Sequence, residues 1–287
     1  EDVLALVQLL DASLQLLQSM CQWVSLQLLY GNEVVPLCCM LVGDPDTRVR
    51  ACECVYLLAQ RSVDGMGKAH SGKPNMDDEV TTAQVEHAKA QLRTLVALLA
   101  ATPLGTAEFL LENEDAYRFA KRVSQLVAAI GEQQVTIFDP AGGYNGEVAS
   151  VTKRPPGPEL DGALATYTQL VLTIAAHPSA SVAISPLRAI RAMLRNEAVR
   201  ARAPFAEVLP SLVHLLLSKL PRVYEPAFLR DADAEHVSAK FSELDFDEED
   251  GFRAFYGVFR AASTQLIQEV TKIDPLMAME AAQQIAT

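Results

Sequence analysis

The segment VVPLCCMLVGDPDTRVRACECVYLLAQ, Val34 to Gln60, carries two apolar runs on either side of an Asp-Pro-Asp turn. The turn is too short to let the second run travel far from the first. A helix, a tight turn and a returning amphipathic helix follow, each helix covering part of the other's apolar face. Proline suits the first turn of a helix, because the N–H it lacks has no intrahelical partner there. Asp44, just ahead of Pro45, stands where an N-cap belongs, with its carboxylate expected to accept from the first free backbone N–H groups.

A second stretch, QLVLTIAAHPSASVAISPLRAIRAML (Gln169–Leu194), has the same order of features. Setting Pro45 on Pro178 brings Leu41 onto Ile174, Val49 onto Val182, Cys54 onto Leu187 and Leu57 onto Ile190. Pro186 interrupts the returning helix of this copy. Either the helix kinks there or a new one begins at Ser185-Pro186; because Val182 already falls on the shared pattern, the kink within one continuous helix is favoured. A hydrophobic helix, DPD-x-x-VR and a second apolar helix together resemble the HEAT repeat, although the second copy lacks the arginine after its valine. Such units run roughly 40–47 residues and stack because one helix pair cannot bury its face alone.

The rest of the chain reads the same way. From Phe119 onward Val123, Leu126, Ile130 and Ile137 recur on one helical face, and no stretch alternates as a strand would. The fold class expected is all-α, an α-solenoid of stacked HEAT-type antiparallel helix pairs, about six pairs at that repeat length. One continuous solenoid is expected over residues 1–287, broken by long loops at 63–79, 139–162 and 231–246. The chain opens mid-pattern at Glu1 and stops in the helix-like AMEAAQQIAT, and so reads as a piece of something longer.

Half of the 287 residues are apolar, which excludes a disordered chain. The charge-free run Ala12–Asn32 is interrupted by four glutamines and three serines, so it reads as a buried helix rather than a membrane span. Cys21, Cys38, Cys39, Cys52 and Cys54 form no CxxC pair and have no histidine nearby in sequence. They read as small buried residues of a reducing compartment, not as metal ligands. No phosphate loop, dinucleotide fingerprint, zinc-protease motif or nucleophile elbow is present, so neither catalytic residue nor cofactor is expected.

Charge is the uneven feature. The chain carries a net −12, of which Asp231–Asp250, with nine acids and one lysine, supplies −8. Against this, Arg188–Arg202 holds five arginines and one glutamate, a net +4. On a helix Arg188, Arg191 and Arg195 lie within about 60° of one another and make one basic stripe. Two readings stand side by side: contact with phosphates of a polyanion, or ion pairs with neighbouring acids. No aromatic is interleaved for base stacking, so any nucleic-acid contact would be to the backbone.

The string DFDEEDGFRAFYGVFR, Asp245–Arg260, fails as a calcium loop: its sixth position is Asp250 instead of glycine and its twelfth is Tyr256 instead of glutamate. As a helix start it is consistent. Asp247, Glu248, Glu249 and Asp250 sit at the positive end of the macrodipole, and Phe252, Phe255, Phe259, Leu266, Val270 and Ile273 share one face up to Asp274-Pro275.

The longer stretch FSELDFDEEDGFRAFYGVFRAASTQLIQEVTKIDP (Phe241–Pro275) resembles the karyopherin-β nuclear export receptors of the importin-β superfamily. WVSLQLL near Trp23, ACECVYLLAQRS, YRFAKRVSQLVAAIGEQ and AAHPSASV fit in the same order. The resemblance implies a middle fragment of a receptor that shuttles between nucleus and cytoplasm. It also implies Ran-GTP, structured RNA cargo such as microRNA precursors and tRNA, RNA-bound proteins and nucleoporins as partners. Neither membrane insertion nor a homo-oligomer is implied, and release on GTP hydrolysis leaves the receptor no catalytic work. Under it Asp245, Asp247, Glu248, Glu249 and Asp250 face a basic surface of Ran or of another basic partner, and Arg188, Arg191 and Arg195 touch RNA phosphates. The competing readings are a related karyopherin with protein cargo and a HEAT-repeat scaffold without a transport role.

Overall fold

A computed structural model describes residues 2–66, 82–139, 157–220 and 236–286. The chain opens with α1 (Asp2–Met20), α2 (Leu26–Gly31), α3 (Val34–Val42) and α4 (Arg48–Ala59). A 3-10 turn at Val63–Gly65 follows α4, and α5 (Thr82–Ala101), α6 (Ala107–Glu112) and α7 (Glu114–Gln133) come next. After a 3-10 turn at Val135–Phe138 the chain resumes with α8 (Pro158–Ala175), α9 (Ala180–Ala183) and α10 (Ser185–Arg195). The remaining helices are α11 (Glu197–Arg200), α12 (Ala203–Ala206), α13 (Leu209–Lys219), α14 (Val237–Asp245), α15 (Glu249–Ile273) and α16 (Pro275–Ala286).

These helices form an α-solenoid of HEAT-type pairs, with no strand among the described residues. One layer runs α1, α4, α7, α10, α15, each packed on the next or joined to it through one neighbour. The other runs from α2 and α3 through α5, α8, α12 and α13 to α16. The hairpins α3–α4 and α8–α10 step between the layers, as the two aligned segments require. Apolar burial runs unbroken between the layers, because neither can cover its own inner face.

α7 lies between two other helices of its layer. Glu114 and Asp115 favour its N-terminus, Asn113 Oδ1 accepts from Ala116 N at 2.9 Å, and Phe119, Val123, Leu126 and Ile130 are buried. It packs against α4 on one side and α10 on the other. At the α10 crossing Gly131 lies so close that a Cβ there would stand 2.4 Å from Ala189 Cβ and 2.5 Å from Tyr167 Oη. The Tyr167 hydroxyl donates to Val127 O at 2.7 Å. Gln134, fully buried, accepts from Val63 N through Oε1 and donates through Nε2 to Ala59 O and Arg61 O, fastening the exit of α4 to the end of α7.

Several local expectations are corrected. α4 starts at Arg48 with Thr47 as N-cap, so Asp44 does not cap it. The Asp44 carbonyl accepts from Arg48 N at 2.8 Å, while its carboxylate stays within the turn beside the Thr47 hydroxyl at 2.9 Å. Pro186 does not kink a continuous helix. A single turn, α9, ends at Ala183, and α10 begins afresh with Pro186 in its first turn. The carbonyl of Val182, which loses its i+4 donor to the proline, accepts instead from Ser124 Oγ on α7 at 2.5 Å. The run Ala12–Asn32 is two helices rather than one, with Leu16 63% exposed. No helix among the described residues is long and apolar enough to cross a membrane.

The loop bounds also shift. Residues 67–79 and 140–156 lie outside the described residues, as do 231–235. Within the expected loop 139–162, however, α8 has already begun at Pro158, with Glu159 and Asp161 in its first turn. Within 231–246 the chain forms α14, because His236 Nδ1 accepts from Ser238 N at 3.3 Å and Phe241 is drawn into the core against Tyr117 and His177. All five cysteines are free and buried. Burial pushes the Cys39 thiol up to about 11 and Cys52 well above its ordinary value.

Candidate functional site

Two charged surfaces were expected, and the structure places both. The first lies on α10, whose apolar face (Leu187, Ile190, Met193, Leu194) is sunk between α7 and α8. The opposite face then necessarily carries Arg188, Arg191 and Arg195 outward as one row. Their side chains are 55%, 40% and 63% exposed, so each remains within reach of a ligand from solvent.

The row is not free of acids. Arg191 Nε lies 3.0 Å and Arg195 Nη2 3.3 Å from the same oxygen, Glu269 Oε1 on α15. Arg188 Nη1 stands 3.7 Å from Glu132 Oε2 on α7. Three guanidinium groups thus face two carboxylates, three minus two, and the cluster keeps one formal positive charge. Each guanidinium has a single partner among the described residues, so the remaining N–H donors of each fork face outward. Glu269 Oε2 is buried with no hydrogen-bond partner, so the carboxylate is tied to the row through its other oxygen alone. The arginines therefore pair with neighbouring acids, as one of the two readings had it, and keep further donors unpaired among the described residues.

The second surface is the junction of α14 and α15. Glu248 is the N-cap of α15, and Glu249 and Asp250 occupy its first turn, as the macrodipole favours. Glu249 pairs with Arg253 one turn on. Of the expected face of α15, Phe252, Phe259, Leu266 and Val270 are buried and Phe255 is partly so, but Ile273 in the last turn is exposed, and the helix stops at Asp274 before Pro275. Phe246, Phe252, Tyr256 and Phe259 follow one another in ring contact, at 5.8, 5.5 and 6.2 Å between centroids, and seat the junction on the core.

Asp247, Glu248 and Asp250 are exposed. Asp245 is not: its side chain is 5% exposed, pairs with Lys121 and accepts from the Tyr117 hydroxyl at 2.7 Å. Since Tyr117 donates to Asp245, the Ser179 hydroxyl at 2.7 Å must donate to Tyr117 while accepting from Val182 N. A line of donors runs from the cap of α9 through α7 to the end of α14 and terminates on that carboxylate. Beside it His177 Nδ1 accepts from Ser179 N at 3.0 Å. Burial, with the nearby Lys219 ammonium, lowers its pKa to about 4. Asp245 is held within the fold, while Asp247, Glu248 and Asp250 lie at the surface.

Glu269, Glu132, Lys121 and Tyr117 went unremarked in the sequence. Each acts across at least 56 residues (Glu132 to Arg188), and no local spacing marks such a pair. Among the described residues no group of three His, Cys, Asp or Glu side chains gathers to hold a metal ion.

Stacked helix pairs carrying charged surfaces of both signs make this chain an α-solenoid. A family model described as the Exportin-5 family matches residues 114–287, which include the second hairpin, the arginine row and the acidic junction. The chain belongs to the Exportin-5 family. Residues 4–55 match a model described as Exportin 1-like protein. Exportin-5 of Homo sapiens is 22% identical over 266 residues, covering 92% of this chain and 19% of the relative. Exportin-5 of Dictyostelium discoideum is 22% identical over 272 residues, covering 92% and 20%. The chain thus spans about a fifth of the length of these relatives.

Proposed function

We propose that this chain is part of a nuclear export receptor that binds structured RNA together with Ran-GTP and moves between nucleus and cytoplasm. MicroRNA precursors, tRNA and proteins bound to RNA are the cargo classes, and nucleoporins are the partners met in transit. The observation that carries this reading is the family match over residues 114–287, supported by relatives collinear over 92% of the chain. The chemistry of the two surfaces fits it. Arg188, Arg191 and Arg195 offer open guanidinium forks to phosphate oxygens. Asp247, Glu248 and Asp250, with Glu249 behind them, offer carboxylates to a basic surface of Ran. Asp245 supports that junction from within. A receptor of this kind works by binding alone and asks no catalysis of these residues.

The test is made in the full-length protein with a short RNA duplex, with and without Ran-GTP. Replacing Arg188, Arg191 and Arg195 together by alanine weakens RNA binding and flattens its dependence on salt. Unchanged affinity and slope would sink the phosphate assignment. Reversing charge at Glu248, Glu249 and Asp250 lowers Ran-GTP affinity with RNA absent, and equal affinity would remove Ran from that surface.

A further inference from the structure

We propose that Glu269 is a built-in competitor for phosphate: its carboxylate occupies the arginine row of α10 and sets how much negative charge a ligand must bring to draw the guanidinium groups off it. This rests on the assignment of Arg188, Arg191 and Arg195 to RNA phosphates.

The geometry is specific. One carboxylate oxygen on α15 accepts from Nε of Arg191 and Nη2 of Arg195, residues one helical turn apart on α10. That is how a phosphate oxygen would be held between the same two groups. Two like charges held this close are tolerable because the carboxylate lies between them, and the same anion lowers the local potential that an incoming phosphate meets. Glu132 does the same for Arg188 at longer range, 3.7 Å, without a hydrogen bond. The row therefore rests at one formal positive charge rather than three.

Two consequences separate this arrangement from an ordinary surface ion pair. The Glu269 side chain is only 24% exposed and its second oxygen is buried, so the acid cannot swing away as a rim glutamate would. The forks, by contrast, are half in solvent and most of their donors are unused. A lone anion gains little by meeting a site already holding one. A ligand presenting several phosphates along a groove reaches all three forks at once and draws the guanidinium groups off their carboxylates. The row thus favours dense, repeated phosphate, the surface of duplex RNA, over single anions.

Glu269→Gln isolates the effect. The amide oxygen still accepts from Arg191 and Arg195, so the positions of the forks are kept and only the charge is removed. In the full-length protein this variant is expected to tighten binding of a short RNA duplex about three- to tenfold at low salt, the effect of one unit charge ~5 Å away at a wet surface. It is also expected to steepen the plot of log affinity against log salt by nearly one unit. Glu132→Gln, which leaves the α10–α15 tie untouched, changes affinity in the same direction by less and serves if Glu269→Gln disturbs folding. Adding the triple arginine-to-alanine change must abolish both gains. If the triple change weakens binding but neither glutamine variant tightens it, the competitor role is wrong and the phosphate assignment stands. If the triple change alters nothing, both are wrong.

Discussion

Replacing Gly131 by alanine tests the central packing of the solenoid with a single methyl group. In the interior of an isolated helix this change stabilises by about 1 kcal/mol, because glycine loses more backbone entropy on folding. Here the added Cβ would meet Ala189 Cβ at 2.4 Å, Ala189 Cα at 2.7 Å and Tyr167 Oη at 2.5 Å. Carbon atoms pack at about 3.5–4.0 Å, so α7 and α10 must move apart by about 1 Å. Tyr167 must also withdraw from Val127 O, forfeiting a buried hydrogen bond worth about 1 kcal/mol. Overpacking of this kind costs roughly 1–3 kcal/mol. The sum, about 2–4 against a gain of 1, is a net loss of about 1–3 kcal/mol, opposite in sign to helix propensity. Urea unfolding followed by circular dichroism reads it as a lower midpoint. Ala189→Gly removes the opposing methyl, so the double variant should be more stable than the two single losses predict, by about 1 kcal/mol or more of coupling. If Gly131→Ala is as stable as the parent, or the pair is simply additive, the close crossing of α7 and α10 is wrong.

Ser124→Ala leaves the Val182 carbonyl buried without a donor and should cost about 1–3 kcal/mol by the same unfolding assay. The loss should shrink when Pro186→Ala is added, since a backbone N–H then becomes available to that carbonyl; an undiminished loss would remove the proline from the account. Asp245→Asn should destabilise by about 2 kcal/mol, because Lys121 loses its partner at a largely buried site, whereas Asp247→Asn and Asp250→Asn change stability by less than about 0.5 kcal/mol. Equal effects at all three positions would contradict the burial of Asp245. His177 takes up its proton in the folded chain only near pH 4 but in the unfolded chain near its ordinary value of 6.5. The unfolded state therefore binds more protons between those values, and stability falls as pH drops from about 6.5 to 4, by at most ~3 kcal/mol. His177→Asn, which can keep an acceptor for Ser179 N, should flatten that limb of the pH–midpoint curve. A limb of unchanged slope would assign the acid loss elsewhere.

The hairpins could be read in advance because their signals are local. The apolar runs flanking Pro45 and Pro178, and the acid-then-phenylalanine order of α15, each lie within one or two helices, where a period of 3.6 residues is sufficient evidence. The break at Ile184 stood in the sequence only as the less favoured of two readings, because what makes it tolerable is the hydroxyl of Ser124, fifty-eight residues before Val182. α14 was hidden for a related reason. Its acids suggested a loop, and the helix is held by Phe241 against Tyr117 and by Asp245 against Lys121, both on α7. The arginine row was visible as a row from its spacing alone. Its partners were not, since Glu269 lies 74 and 78 residues from the arginines it holds and follows no motif.

The crossing of α7 over α10 also bears on how such a spring can bend. Side chains lying between two helices can change rotamer when the helices shift. At Gly131 and Ala189 there is almost nothing between the two backbones to yield. Bending strain applied to the array is therefore shunted past this point, and α7 with α10 moves as one stiff link.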